Sequence, residues 1–563
     1  MEGLVTEAGK IESSFGELSF EAKRPLTMLD LARSFEKAAK DDAVKAVVID
    51  ADDAGLDLSQ IQEIRRHLLE IKKAGKDVWM YTEHLSNGKA LLGSAANHFT
   101  LMPETDCSFS GIYAESLYFK GMLDKIGVRA DVIHIGDFKS FGEEFYRTGP
   151  SEYAAKQKDQ LIDSIYGQLV ELIATGRKVS EAKVKAAIDD GGLTAQKFVD
   201  AGLADHLLYR TDFVKKLDET YGKDADFDRS YELPDLDGPE ITGIMDIFKV
   251  MFNEANKGKA RQDFVAVVAL DGDITDESIS PVRTQILKLA KNDRAKALVL
   301  RVNSPGGSAM ASEVLWEATD EWNATGKPFV VSMGGVAASG GYYVSSSAKR
   351  IFAEAGTITG SIGVVGMKLV VGEAFEKMGI TTHATQRGEN AGVMSMTRGF
   401  SEDEAKIVRD SMTEVYKTFK KRVSDGRGKA LKGDLESLAG GRIYSGKDAL
   451  ENGLVDEIGG LNEAIAWVTK DAKLENPDVK LVPEPKSGIE GLFAPKERKN
   501  DDEVIRATTT PSHAVNLQAM LQATGLLGAL PPSVKSQVAR FAGRLEAFQH
   551  TQVLLLGPDI DLK

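Results

Sequence analysis

Two glycine-rich segments in the second half of the chain have the composition of loops that act on a carbonyl group. Residues 303–308 contain Gly306-Gly307, and residues 334–342 hold Ser339 between two alanines and two glycines. Glycines leave backbone N–H groups exposed, and such groups can stabilise the negative charge that develops on a carbonyl oxygen under attack. A serine hydroxyl between small residues is open to a substrate and can act as a nucleophile. The residues alone leave two interpretations open, a nucleophilic serine and a tightly packed loop without chemistry.

The general base that a nucleophilic serine needs cannot be chosen from the residues alone. The chain has 8 histidines and none lies in either loop, so a Ser-His-Asp triad has no evident candidate. A lysine can replace histidine when burial lowers its pKa, because a low-dielectric environment disfavours the charged amine. With 70 lysines and arginines in the chain, composition and spacing leave the choice of lysine open.

Both loops follow short apolar runs that predict buried strands, and a third run of this kind precedes them. The predicted strands cover residues 264–270, 298–302 and 329–333, and the segments between them, residues 281–291 and 311–324, have the periodicity of amphipathic helices. Alternating strands and helices predict a parallel sheet flanked by helices. Sites in such open α/β sheets form at the carboxyl ends of the strands, where both loops lie.

The chain repeats itself at a nearly constant spacing. Residues 43–49 resemble residues 294–300 at an offset of 251 (294 − 43), and residues 125–128 resemble residues 377–380 at a closely similar offset. A chance match would not keep its register across separated blocks, so the pattern predicts a tandem duplication. Long helices are predicted for residues 151–175 and 401–424, which both begin with Ser-Glu.

The repeats define a predicted division of the chain. Residues 1–208 and 263–475 are the two homologous halves. Residues 209–262 are charged and contain a Pro-Asp-Leu-Asp-Gly-Pro run typical of a linker. Residues 476–563 form a tail with no predicted role.

Composition excludes some classes of function. The net charge of −15 argues against nucleic acid as a partner, because phosphate binding needs a basic surface. The single cysteine, Cys107, lies in a polar loop without an activating motif and is predicted not to be catalytic. No stretch reaches about 18 apolar residues, so the sequence predicts no membrane span. Residues 1–23 lack the apolar core of a secretory signal.

Three segments carry a resemblance to a known family. Residues 299–308, 330–342 and 359–363 (Thr-Gly-Ser-Ile-Gly) are similar to the signatures of signal peptide peptidase A, also called protease IV. The likeness extends over residues 27–482 and includes the duplication of the long form of that family. It implies an α/β fold in which a parallel-sheet domain similar to crotonase and Clp protease, with flanking helices, occurs twice.

The resemblance also assigns roles to individual residues. It implies that Ser339 is the nucleophile and that Lys139, in the segment Ile-Gly-Asp-Phe-Lys-Ser, is the general base of a Ser-Lys dyad. Ser361 would orient the lysine, and the backbone N–H groups of Gly306 and Gly340 would form the oxyanion hole. No cofactor and no metal are implied.

Comparison of the halves predicts one composite site per chain. At an offset of 251, Gly88 stands where Ser339 would be, and Gly55-Leu56 stand where the second half has two adjacent glycines. Conversely, Asn390-Ala391 occupy the region equivalent to the lysine. The first half would therefore supply the base, and the second half the nucleophile and the oxyanion hole.

The activity implied by the resemblance is that of a serine endopeptidase that degrades apolar peptides such as cleaved signal peptides through an acyl-enzyme. The substrate would bind in extended form, like an added strand. The family implies a homotetramer and the periplasmic face of the bacterial inner membrane. Since this chain shows no anchor of the usual kind, the cytoplasm is the alternative. Two other functions compete, a crotonase-type acyl-CoA hydratase or isomerase, which would use carboxylates, and a catalytically inactive scaffold of the same fold.

Overall fold

A computed structural model describes residues 3–7, 24–50, 52, 54–190, 193–236, 262–485 and 554–556. Part of the predicted linker, residues 237–261, lies outside the described residues. So does most of the predicted tail, namely residues 486–553 and 557–563. The limits of the two halves, the linker and the tail stay predictions.

The first half of the chain alternates strands with helices. Its strands are β1 (Gly3–Leu4), β2 (Ala46–Asp50), β3 (Ala54–Gly55), β4 (Asp77–Ser86), β5 (His98–Ser108), β6 (Arg129–Ile135) and β7 (His206–Leu207). Its helices are α1 (Met28–Lys40), α2 (Leu58–Lys73), α3 (Asn87–Gly93), α4 (Lys120–Ile126), α5 (Glu143–Tyr146), α6 (Glu152–Arg177), α7 (Glu181–Asp189), α8 (Ala195–Asp200) and α9 (Arg210–Tyr221).

The second half repeats this alternation. Its strands are β8 (Phe264–Asp271), β9 (Ala295–Ser304), β10 (Gly306–Ser308), β11 (Phe329–Ala338), β12 (Arg350–Ala353), β13 (Ile358–Gly360), β14 (Val364–Val370), β15 (Ile443–Ser445), β16 (Glu457–Ile458) and β17 (Asp478–Leu481), and β18 (Leu554–Leu556) follows much later. Its helices are α10 (Asp276–Ala290), α11 (Ala309–Ala324), α12 (Gly340–Ser345), α13 (Gly372–Lys377), α14 (Glu402–Arg427), α15 (Leu435–Leu438), α16 (Gly446–Asn452) and α17 (Leu461–Asp471).

Each half contains a largely parallel sheet, which confirms the predicted fold class. The first sheet has the order β2-β4-β5-β7 and is parallel throughout. The second has the order β15-β13-β11-β9-β8-β17, with β12 paired to β11 and to β16, and only β15 is antiparallel to its neighbour. The predicted strands at residues 264–270, 298–302 and 329–333 are confirmed as β8, β9 and β11.

Strand β8 shows why this sequence forms a sheet that is covered on both faces. Successive side chains of a strand point to opposite faces. Val265 and Val267 pack in one apolar cluster with residues of α17, whereas Ala266 and Val268 pack in another with residues of α10. A continuous run of buried apolar residues is typical of a parallel strand between two helical layers.

The duplication is visible in the lengths of equivalent helices. Helices α6 and α14 both have 26 residues, and the second begins 250 residues (402 − 152) after the first. Helices α2 and α11 both have 16 residues. Each of these four helices begins at a residue whose side chain accepts a backbone hydrogen bond from the first turn, which stabilises the helix start.

A third sheet joins the halves and brings the candidate lysine to the second half. Strand β6 of the first half pairs antiparallel with β14 of the second over seven residue pairs, from Val364↔Ile135 to Val370↔Arg129. Ile133 of β6 is 5% exposed and belongs to the core of the second half. The loop that follows β6 is therefore held against the second half.

A buried ion cluster also fixes the halves to one another. Arg301 of β9 donates to Glu7 Oε2 at 2.8 Å and to Glu63 Oε2 at 3.0 Å, and all three side chains are at most 1% exposed. Glu63 lies on α2 of the first half and also accepts the backbone N–H of Leu461 at 2.6 Å. Removing one member would leave an uncompensated buried charge, so the cluster requires both halves in place.

Candidate active site

Ser339 lies at the sharp turn between β11 and α12. Its φ of 54° and ψ of −110° fall in a region that non-glycine residues rarely occupy, and such strain persists only where the surroundings hold it. Here the Ser339 N–H donates to the carbonyl oxygen of Gly360 on the neighbouring strand at 2.8 Å. The Ser339 side chain is fully buried.

The glycines after Ser339 allow two loops to approach closely. A Cβ on Gly340 would lie 2.6 Å from Ser312 Oγ and 3.1 Å from the Cα of Gly306. A Cβ on Gly341 would lie 2.6 Å from the carbonyl oxygen of Ser304. Larger side chains at these positions would push apart the loop of Ser339 and the loop of Gly306. The two loops can lie side by side because both are built from glycine.

Lys139 extends from the loop after β6 to the end of β11. Its Nζ lies 2.8 Å from Ser339 Oγ, 2.9 Å from Ser361 Oγ and 3.0 Å from the Ser361 carbonyl oxygen. The lysine is 2% exposed. The structure thus brings together the three side chains for which the sequence predicted roles in proton transfer, although 200 residues separate Lys139 from Ser339.

Burial holds the pKa of Lys139 well below its ordinary value of 10.5, because the low-dielectric interior disfavours the ammonium. The three contacts fit a neutral amine, which has two N–H donors and one lone pair. The two donors can serve the two oxygens of Ser361, and the lone pair can accept the hydroxyl proton of Ser339. This geometry is that of a general base in contact with its nucleophile.

Ser361 occupies a second sharp turn beside the first. It follows β13, which pairs with β11 so that Gly360 is opposite Ala338. The two serines therefore leave adjacent parallel strands at the same edge of the sheet. Ser361 has a φ of 53°, and its N–H donates to the carbonyl oxygen of Arg442.

A further loop, residues 440–442, holds the lysine turn in place. The Phe138 N–H donates to the carbonyl oxygen of Gly440 at 2.9 Å, and the Arg442 guanidinium lies 3.6 Å from the centroid of the Phe138 ring. A Cβ on Gly441 would lie 2.5 Å from the Cα of Lys139. Sequence analysis missed this loop. The signal that could have found it is the Gly440-Gly441 pair, which follows a short helix and precedes a short strand.

The two predicted oxyanion donors differ in their surroundings. Gly340 is the first residue of α12, and a first-turn N–H has no acceptor within its own helix. The N–H of Gly306 donates to Ser304 Oγ at 3.1 Å in this structure. Ser304 is a second residue that sequence analysis missed, because its role depends on the conformation of the loop.

Comparison with known proteins finds similarity to peptidases. The sequence model of peptidase family S49 matches residues 70–224 and 321–475, and that of Clp protease matches residues 259–358. The chain is 33% identical to Protease 4 of Haemophilus influenzae over 81% of the chain and 74% of that protein. It is 31% identical to Protease 4 of Salmonella typhi over 80% of the chain and 72% of that protein. The chloroplastic serine protease SPPA of Arabidopsis thaliana is 30% identical over 81% of the chain and 68% of that protein.

The chain belongs to peptidase family S49. It is a serine-type peptidase with peptide substrates, and the resemblance drawn from its motifs is confirmed. The two matches to family S49 agree with the duplication, and the Clp match agrees with the predicted type of fold.

The structure places Gly88 of this S49 peptidase near the turn that corresponds to that of Ser339. Gly88 is the second residue of α3, which follows β4 as α12 follows β11. Ser339 directly precedes α12, and the residue that directly precedes α3 is Ser86. Asn390 and Ala391 are exposed on a surface loop, so the second half has no buried lysine equivalent there. The thiol of Cys107 is half-buried in β5, and burial raises its pKa, which keeps it protonated.

Proposed function

We propose that Ser339 and Lys139 form the catalytic dyad of this peptidase, with Ser339 as the nucleophile and Lys139 as the general base. The observation that carries the proposal is the 2.8 Å distance between Nζ and Oγ within a buried contact. The described hydrogen bonds of Nζ go to the two serines and to no carboxylate, so the lysine can be neutral. A crotonase-type hydratase would need a carboxylate at this position.

The reaction begins with transfer of the Ser339 hydroxyl proton to Nζ of Lys139. Oγ attacks the carbonyl carbon of the substrate, and the resulting oxyanion accepts hydrogen bonds from backbone N–H groups. When the C–N bond breaks, the Lys139 ammonium donates the proton to the leaving amine. A water molecule then attacks the acyl-enzyme, Lys139 accepts its proton, and the carboxylic acid leaves while Ser339 regains its hydrogen.

Ser361 acts as a positioning residue in this proposal. Its two oxygens direct both N–H groups of the neutral amine, and the lone pair is thereby turned toward Ser339 Oγ. The oxyanion hole is formed by the N–H groups of Gly340 and Gly306. The N–H of Gly306 donates to Ser304 Oγ in this structure, and it binds the oxyanion when it turns from Ser304 toward the developing charge.

We propose apolar peptides, such as cleaved signal peptides, as the substrates. They would bind in extended form as a strand added along β10. The backbone of this glycine-built strand can form main-chain hydrogen bonds with an extended peptide. A homotetramer and the periplasmic face of the bacterial inner membrane are also proposals and rest on family resemblance. None of the helices in the described part of the chain is long and apolar enough to cross a membrane.

Hydrolysis of a fluorogenic apolar peptide tests the proposal. Ser339→Ala and Lys139→Met should each reduce kcat to background. Matched controls are Ser345→Ala and Lys368→Met, since both residues are also buried but their side chains donate to the backbone carbonyls of Gly341 and Val393 and not to Ser339, Lys139 or Ser361. The controls should retain activity within a few-fold of the unmodified chain. Full activity in a folded Ser339→Ala or Lys139→Met variant would refute the dyad.

A further inference from the structure

Strand β18 lies between two strands that flank the proposed dyad. The sheet has the order β10-β18-β14-β6, and β18 runs antiparallel to both of its neighbours. Its residues Leu554, Leu555 and Leu556 are opposite Ser308, Gly307 and Gly306, and Leu554 is also opposite Val365 of β14. A three-residue segment from near the end of the chain therefore fills the space between β10 and β14.

In β10, the backbone polar groups of the middle residue, Gly307, face β18. The Gly306 carbonyl accepts the N–H of Ile274, and the Ser308 N–H donates to the carbonyl of Ile274. Because polar groups alternate along a strand, those of Gly307 face the other side, where Leu555 lies. An extended peptide at this position satisfies the exposed backbone of the glycine loop, as an added strand does.

The direction of β18 is that of the substrate residues that precede a scissile bond. The strand runs from Ser308 toward Gly306, and the Cα of Gly306 lies beside Gly340, the residue after Ser339. On its other side, β14 begins three residues after Ser361 and pairs with β6, which leads to the lysine. The chain of β18 thus advances toward the nucleophile.

An apolar pocket anchors the start of this strand. The side chain of Leu554 is 2% exposed and belongs to a cluster that includes Phe141, Phe145, Val365 and Met367. Phe141 and Phe145 lie two and six residues after Lys139 in the chain, and Val365 and Met367 lie on β14. The pocket is built from both halves, like the dyad itself, and it accepts a branched aliphatic side chain.

We infer that residues 554–556 of the chain occupy the peptide-binding cleft as an internal strand and compete with peptide substrates. The inference rests on the proposed function, because the cleft is identified by its position at Ser339 and Lys139. Substrate can bind only to the fraction of molecules in which the strand has left the cleft. If the strand is in place about nine-tenths of the time, the apparent KM rises about tenfold while kcat is unchanged.

Leu555→Pro tests the inference, because proline has no N–H to donate to Gly307 and cannot continue the ladder. Leu555→Ala keeps the backbone donor and is the matched control. With a fluorogenic apolar peptide, Leu555→Pro should lower KM about tenfold at unchanged kcat, and Leu555→Ala should leave KM within about twofold of the unmodified chain. A synthetic peptide of residues 552–557 should inhibit the Leu555→Pro variant competitively.

Several results would overturn the inference and leave the dyad intact. Equal KM values for the unmodified chain and a folded, active Leu555→Pro variant would show that the strand does not compete. Failure of the synthetic peptide to inhibit would show that the segment has no affinity for the cleft. A KM that rises with enzyme concentration would assign the strand to a second copy instead of the same chain. Loss of all hydrolysis in every variant, with each one folded by circular dichroism, would instead refute the proposed function.

Discussion

Replacing Gly441 with alanine should inactivate the peptidase without unfolding it. The new Cβ would lie 2.5 Å from the Cα and 2.6 Å from the Cβ of Lys139, and it would also contact the Lys139 backbone nitrogen. Ordinary van der Waals contact begins at 3.4 Å, so the lysine turn must retreat by about 1 Å. Nζ would then leave hydrogen-bonding distance of Ser339 Oγ, and a displacement of about 1 Å in a catalytic group costs about 10²-fold in rate.

Gly440 provides the matched control for this experiment. It also has a positive φ, 69° against 85° for Gly441, so alanine at either position carries a similar left-handed backbone penalty of about 1–2 kcal/mol. A Cβ on Gly440, however, would meet no atom within 4 Å. Both variants should lose thermal stability, Gly441→Ala more because its steric clash adds to the backbone penalty, and only Gly441→Ala should lose kcat.

The assay is steady-state hydrolysis of a fluorogenic apolar peptide, with thermal unfolding measured on the same samples. The expected result is a kcat about 10²-fold lower in Gly441→Ala than in Gly440→Ala at a temperature at which both variants are folded. Equal kcat values for the two variants would show that loop 440–442 does not set the position of Lys139.

Three further predictions follow from the buried charges and hydrogen bonds. Lys139→Met should raise the Tm at neutral pH, because burial lowers the pKa of Lys139 and the folded chain therefore binds fewer protons than the unfolded chain. The free energy of unfolding of the unmodified chain rises with pH up to about 10.5, so the gain in Tm should shrink as pH approaches that value. Ser361→Ala should lower kcat by about 5- to 150-fold, because one buried hydrogen bond worth about 1–3 kcal/mol is removed. The remaining contact between Lys139 Nζ and the carbonyl oxygen of residue 361 should keep the activity above that of Lys139→Met. Arg301→Leu should lower the free energy of unfolding by about 3–5 kcal/mol in urea titrations, since Glu7 and Glu63 would stay buried without their cation, and an unchanged midpoint would contradict the structural role of this cluster.

The sequence was sufficient to predict the sheets and the serine loop, because both depend on local patterns. The apolar runs at β8, β9 and β11 are continuous, and each glycine-rich segment directly follows one of them. Local pattern thus placed Ser339 at the carboxyl end of a strand. The repeat spacing was equally informative, since helices α6 and α14 have the same length at the predicted offset.

Lys139 could not be selected by composition, because its burial is a long-range property. Its sequence neighbours Asp137 and Ser140 are polar and do not predict a buried amine. The lysine becomes buried only when β6 pairs with β14 across the two halves. Family resemblance supplied the residue, and the structure supplied the reason for its lowered pKa.

Loop 440–442 and strand β18 escaped sequence analysis for the same physical reason. Gly440 and Gly441 have their role only through contacts with a turn that lies some 300 residues earlier in the chain. The three leucines of β18 lie in a segment without amphipathic periodicity, and their significance comes from pairing with β10 and β14. Contacts of this range are fixed by the assembled fold and leave little local signal.

The most direct test of the Ser-Lys dyad is the rate at which a fluorophosphonate probe modifies Ser339 as a function of pH. The Ser-Lys dyad predicts an adduct on Ser339 whose rate of formation rises as pH increases through the lowered pKa of Lys139. Lys139→Arg should give no adduct between about pH 6 and pH 10, because a guanidinium stays protonated throughout this range. An adduct on another serine, or equal labelling of Ser339 in a folded Lys139→Arg variant, would contradict it.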